Sequence, residues 1–520
     1  MPDTSRIALP APLQNDGDNT QSSPIERLSD DLLIAIVMQR VRSRKQASQF
    51  GELPVSRSHP LITASHVSRR WRQLVLASPS LWCDIAISTP ILPPSLEGET
   101  EAVARRLIQW MQNLPEVVRT WIDRSQNCPL SISMHMSEIA HFSDPKVGKE
   151  VRDTAWICCL TLIDLLCDVA GRWRVLELDI SLEDQKLDQS AALKRFHNLR
   201  AQDVPLLEEL DAGLHIDHHL SCPPPVKGGI QMGRSLRSLK IPLTRGGWQD
   251  YGANWSGLTE LHVDGFLFRQ GDKSAEEFGA REALALLKAC PNLVTCTLAL
   301  LSQSAFAERE VDLGSSSTPV TMGSLEALDI RGACPRSSMA KALVLPSLRE
   351  LVLLSNDNDS QTLKCWLGRF GRGLRALQLE LPLNVSPDDM DHILDHVPNV
   401  TSLGISVVGS DDIRGDRAPR LDAGSLLLQS LTMKSCVGGG LKEGCFCPKL
   451  KELFLSQEQK ISDATILDFV QSRRSSELVK RRIQIIKEVT VFSDGDVGSD
   501  LKGELLRRGV DTDGLYLETL

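Results

Sequence analysis

The chain has 520 residues, 42% of them hydrophobic and 24% charged, with a formal net charge of -9. It is too long for one ordinary compact core and too balanced in composition to be disordered or membrane-embedded throughout, so several domains or a repeat architecture is expected. An acidic balance offers no concentration of Lys and Arg for phosphates, and no nucleic-acid partner is expected.

Residues 1–22 are rich in Pro, Ser, Asn, Asp and Gln and read as a disordered leader; no basic region feeds an apolar run, so a secretory signal is not expected. The longest apolar run, Ala155 to Cys167, is broken by Asp164 and is shorter than the roughly 20 residues of a spanning helix, so no membrane partner is expected. Thirteen scattered cysteines, an odd number, fit small buried hydrophobes in a reducing compartment, cytoplasmic or nuclear.

From Ile25 the pattern is helical, with Leu28, Leu32, Leu33, Ile36 and Val37 on one broad face, Ser29 as N-cap and Asp30 and Asp31 in the first turn. Polar, basic residues about 40–60 with Gly51, Pro54 and Pro60 predict a loop. A second helix carries Val67, Trp71, Leu74 and Val75 on one stripe, ends at Ser78-Pro79, and is followed by a short turn with Leu81, Trp82 and Ile85. Such a small helical unit is marginal alone, and an apolar stripe left over on it points to a partner.

This stretch resembles an F-box. Leu28-Ser-Asp-Asp-Leu-Leu33 looks like the family's Leu-Pro-x-Glu-Leu-Leu opening, with Ser29 in place of Pro, and Val67-Ser-Arg-Arg-Trp71 with Pro79-Ser-Leu-Trp82 looks like its closing motifs. With the repeats described next, the chain is similar to the F-box and leucine-rich-repeat proteins common in fungi. The resemblance implies a Skp-family adaptor, and through it a cullin, as partners. It also implies an adaptor-binding segment of Leu28, Leu32, Ile36, Val67, Trp71, Leu74, Leu81 and Trp82, within which Trp71 and Trp82 mostly hold the core.

A Pro-rich linker, 90–98, precedes two helical stretches, 101–113 and 115–125, and then an alternating strand, Pro129 to Met134. A long apolar helix, about 151–170, leads to Trp173-Arg-Val-Leu-Glu-Leu-Asp-Ile180. Its apolar-x-x-apolar-x-apolar string recurs from Leu207, Leu236, Leu258, Leu293, Leu325, Leu348, Leu374, Val400, Leu428 and Leu450, at steps of 22 to 35 residues. Such steps are a repeat signature, read as one strand plus one helix per unit, each burying its apolar face on its neighbours. The predicted fold is α/β: a small all-α F-box over residues 23–88, a linker and helical connection over 89–128, an irregular leucine-rich-repeat solenoid over 129–475, and a capping segment over 476–520.

No catalytic motif is present: there is no Gly-x-Ser-x-Gly elbow, Walker loop or His-Glu-x-x-His pair, and the expectation is a non-enzyme with no cofactor. His215, His218, His219 and Cys222, like Cys436, Cys445 and Cys447, lack metal-finger spacing and are read as loop residues, with no metal. The basic runs Arg40 to Lys45 and Lys480 to Arg482 read as solvated.

In each strand the positions between and after the apolar ones face away from the core. Over eleven units these hold ten acids (Glu177, Asp179, Glu209, Asp211, Glu260, Asp264, Asp329, Glu350, Glu380 and Glu452) against Lys240, Arg331 and Lys434. Glu177, Asp179, Glu209, Asp211, Glu260, His262 and Asp264 are therefore expected to form a target-binding surface for a basic protein. The expected function is substrate recognition in an SCF-type cullin ubiquitin ligase; the alternative is a ligase-independent leucine-rich-repeat scaffold.

Overall fold

A strand of apolar-x-x-apolar-x-apolar needs neighbours for its backbone N–H and C=O groups, and most of these strings find them in one another, in one long parallel sheet. The computed structural model describes residues 24–47, 59–88, 100–136, 145–182, 190–216, 229–242, 248–264, 278–300, 319–333, 335–355, 360–381, 385–407, 423–432, 446–457, 461–475, 483–493 and 500–519. The expected leader, the Pro-rich linker and the Lys480 to Arg482 run lie outside them, as do His218, His219, Cys222, Lys434, Cys436 and Cys445.

The strands are β1 (Asp84–Ser88), β2 (Leu130–Met136), β3 (Trp173–Leu182), β4 (Glu209–Ile216), β5 (Ser238–Pro242), β6 (Glu260–Asp264), β7 (Thr295–Leu300), β8 (Val320–Thr321), β9 (Ala327–Gly332), β10 (Leu343–Val344), β11 (Glu350–Leu354), β12 (Ala376–Leu381), β13 (Ser402–Val407), β14 (Glu452–Gln457), β15 (Glu488–Ser493) and β16 (Tyr516–Thr519). All but β8 and β10 form one sheet of 14 parallel strands in chain order; β8 and β10 make a separate pair. The helices are α1 (Asp30–Ala47), α2 (Pro60–Ser65), α3 (Arg69–Ala77), α4 (Thr100–Arg124), α5 (Pro145–Cys167), α6 (Ala191–His197), α7 (Ala280–Ala289), α8 (Ser337–Ala342), α9 (Ser360–Phe370), α10 (Pro387–Asp395), α11 (Ala423–Leu431), α12 (Asp463–Arg473) and α13 (Leu501–Arg507).

The register puts like positions beside like. Leu176, Leu210, Leu239, Leu261, Cys296, Leu328, Leu351, Leu377, Leu403, Leu453 and Val489 form one buried row across β3 to β15. Just before the strands a chain of backbone bonds extends the pairing: Arg237 N–H donates to Glu208 O at 2.7 Å, Arg375 to Arg349 O at 2.7 Å and Lys487 to Lys451 O at 2.7 Å. The Asn usual after such strands is mostly missing. Polar side chains of the preceding turns bridge units instead: Asn292 Nδ2 donates to Ser256 O and Asn399 Nδ2 to Arg372 O, both at 2.8 Å, and Ser347 Oγ to Gly323 O at 2.6 Å. Buried hydrophobic side chains from Val37 to Leu515 belong to one connected core.

Five expectations are corrected. The Leu428 string is not a strand: Leu427, Leu428 and Leu431 are buried on α11, and β14 pairs directly with β13. Its leucines satisfy helical spacing as well as strand spacing, and Ala423, Leu427 and Leu431, four residues apart, make the buried face of the helix. Ile85 lies in β1, so the sheet starts inside the segment read as all-helical. The two stretches before β2 are one helix, α4, which takes Pro115 in its interior. Helix α1 continues past Arg40 to Ala47. Finally, among the described residues the β4–β5 and β5–β6 connections show 3-10 turns where a helix per unit is expected.

Candidate functional site

The described residues expected to bind partners fall on two surfaces, one on the N-terminal helices and one on the open face of the sheet.

Helix α1 starts where Ser29 Oγ accepts from Leu32 N–H at 3.4 Å, and it buries Leu33 and Val37. Helix α3 is capped by Ser68, whose Oγ accepts from Trp71 N–H at 3.2 Å. Arg70 ties α3 to the start of α1, with Nη2 donating to Leu28 O at 2.7 Å and to Asp30 Oδ1 at 2.6 Å. The buried side then passes into the sheet's core through Leu81 and Trp82; the Trp82 indole donates to Val75 O at 2.8 Å and meets Trp121 of α4 edge-on at 4.9 Å.

With the core satisfied by Leu33, Val37, Val75, Leu81 and Trp82, other large apolar side chains are left in water. Leu32 is 53% exposed, Ile36 48% and Val67, in the turn between α2 and α3, 57%. Leu28, Trp71 and Leu74 are half-buried. Leu81 is the correction here: grouped with the docking residues by sequence, it is buried and has no surface to offer a partner, while Trp82 is buried against Trp121 of α4 as a core residue.

On the sheet, residues between the buried rows form three lengthwise rows. One runs Glu209, Ser238, Glu260, Thr295, Ala327, Glu350, Ala376, Ser402, Glu452, Glu488 and Tyr516. The middle row begins Ser133, Glu177, Asp211, Lys240 and His262. The third contains His135 beside Asp179. The seven residues expected to bind a target thus lie on one face, on β3, β4 and β6, with β5 and its Lys240 between them.

Many of those acids already have cations of their own. His135 lies 3.6 Å from Glu177 and 3.8 Å from Asp179. The Asp179 carboxylate, and then that of Glu177, raise its pKa to about 9, so it is charged at neutral pH. Lys240 Nζ donates to Asp211 at 3.0 Å; burial pushes the Asp211 pKa upward despite that contact. His262 sits 3.0 Å from Glu260, and Arg331 grips Asp329 with a closest distance of 2.7 Å. Six carboxylates over β3 to β6 still outnumber Lys240 and the protonated His135, so the patch stays acidic. Sequence reasoning missed His135 because β2 precedes the first recognised repeat; its strand alternation was the available signal.

Burial pushes the Cys83, Cys158, Cys167 and Cys290 thiols up to about 12, which suppresses thiolate chemistry. Among the described residues, no three His, Cys, Asp or Glu side chains are grouped to hold a metal ion, and no helix is long and apolar enough to cross a membrane.

No family model matches the chain, and no curated protein matches it. Among solved structures it is similar to the crystal structure of the Rad7 and Elc1 complex in yeast, at 12% identity over 81% of this chain and 92% of that one, with a TM-score of 0.27. A superposition that loose carries no argument about either surface.

Proposed function

We propose that this chain is the substrate-recognition subunit of an SCF-type cullin ubiquitin ligase, in which the N-terminal helices act as an F-box on a Skp-family adaptor and the open sheet face holds the target protein. The observation that carries the reading is the exposure of Leu32, Ile36 and Val67 on helices whose inward positions are already filled. Apolar side chains in water beside a completed core are the physical mark of an interface. Leu28, Trp71 and Leu74, half-buried on the same helical unit, are assigned to that surface on this reading.

On this reading the chain performs no covalent chemistry. It raises the effective concentration of target lysines near a ubiquitin-loaded enzyme carried by other subunits. Affinity purification of the full chain beside a Leu32→Asp, Val67→Asp variant tests it. Adaptor and cullin should be lost while other bound proteins are retained, whereas equal adaptor recovery from both chains would reject the docking surface. A second reading, a ligase-independent scaffold, keeps the sheet face and dispenses with the adaptor; proteins recovered without adaptor from the unaltered chain would favour it.

A further inference from the structure

At the C-terminal end of the open face the chemistry changes. Phe454 of β14, 39% exposed, and Phe492 of β15, half-buried, both stand on the open face with ring centroids 5.1 Å apart. Their neighbours are small: Gly404 of β13 and Thr490 of β15 flank Phe454 in its row, so one ring flank meets no Cβ and the other meets a side chain short enough to let the rings touch. Tyr516 of β16 adds a third aromatic, 53% exposed, whose hydroxyl donates to Glu518 at 2.8 Å.

Carboxylates surround these rings. Glu452 and Glu488 face each other directly in the register, and Glu518 lies one row inward on β16. Neighbouring strands are roughly 4.8 Å apart, so Glu452 and Glu488 oppose like charges at a separation that costs stability. Among the described residues, no Lys, Arg or His pairs with Glu452, Glu488 or Glu518. Glu177, Asp211 and Asp329, by contrast, each lie beside a basic group of their own chain, His135, Lys240 and Arg331.

We infer that this end of the face receives an arginine side chain from a segment of a partner protein. The guanidinium stacks on Phe454 and Phe492 and donates to Glu452 and Glu488, with Tyr516 and Glu518 closing the far side. A planar cation with several donors is the side chain that uses an aromatic face and unpaired carboxylates together. It also removes the repulsion between Glu452 and Glu488. Arginine bound here would come from the same kind of partner as the acidic patch on β3 to β6, so the inference rests on the open face being the target surface and is independent of adaptor docking.

The test is a selection of random dodecapeptides on the full-length chain, with affinities of the enriched peptides measured by fluorescence anisotropy. Arginine should be enriched. Replacing it with citrulline, or pairing the peptides with a Phe454→Ala, Phe492→Ala variant, should weaken binding about tenfold or more, the loss expected for a stacked, charge-paired cation. Glu488→Gln should lose part of the affinity and flatten its salt dependence. Because Phe492 is half-buried, the double variant is read beside its melting temperature, and the citrulline peptides, which leave the chain unaltered, decide the question if that temperature falls. Peptides without arginine, or ones that bind citrulline forms and the double variant undiminished, would overturn the assignment. Peptides instead sensitive to Asp179→Lys, Glu209→Lys would keep the face as a target surface while moving the arginine site to its other end; peptides indifferent to both variants would remove the open face itself.

Discussion

Single side chains decide which charges on the open face are available and which are already used. His135 is the clearest case, because Asp179 and Glu177 raise its pKa from 6.5 to about 9. A raised histidine pKa stabilises the fold fully below 6.5, the unfolded value, and the contribution fades as pH climbs and is gone above about 9. With the ring about a third exposed, the stabilisation is discounted to about 1 kcal/mol. The stability gap between the wild type and His135→Gln should therefore shrink from pH 6 to pH 10 in denaturant titrations; a constant gap would contradict the ion cluster. None of this was legible in order along the chain. Inward and outward alternation was readable, but His135 and Glu177 are 42 positions apart, and only the strand register makes them neighbours.

Elements follow local pattern where one period dominates and depart from it where two compete. Strands β3, β5, β6, β7, β9, β11, β12, β13 and β14 begin within the strings the sequence marks, because their alternating apolar residues suit a half-buried pleat. The Leu428 string fails because its leucines fit a helix equally well, and β13 already had β14 as its partner across the sheet. Strand ends depend on backbone details that composition conceals. Gly332 closes β9 at φ +86°, and a Cβ there would strike Leu300 O, the acceptor for Ala333 N–H at 2.9 Å. Gly332→Ala combines left-handed strain with that clash and should cost about 2 kcal/mol in chemical unfolding, whereas Gly323→Ala, where a Cβ has open space, should cost far less.

At the scale of the molecule, each unit leans only on its neighbours, yet one core connects the N-terminal helices to β16. Trp82 is the joint: it is buried, bonded to Val75, edge-on to Trp121 and stacked under Arg124 at 4.5 Å. Trp82→Ala should cost about 3 to 5 kcal/mol, felt locally. Hydrogen exchange should speed up in α1 to α3 and β1 while β12 to β16 keep their protection, and uniform deprotection would show that the sheet does not unfold unit by unit. That the chain pairs a small helical unit with a long repeat array was readable from two tryptophan motifs and a recurring leucine string; that β1 fuses them was not, since five residues of Asp84–Ser88 carry too little periodicity to stand out from a helical turn.

The central claim, that the helical unit is a docking surface held against the repeat array, is tested most directly by calorimetric titration of the purified full chain with an isolated Skp-family adaptor. The account predicts saturable binding by the wild type and a loss of about a hundredfold or more in the Leu32→Asp, Val67→Asp variant, because an apolar interface that buries two unpaired carboxylates loses several kcal/mol. The variant's melting temperature should be unchanged, since both positions are exposed. Equal affinity of the two chains, or no binding by the wild type, would contradict it.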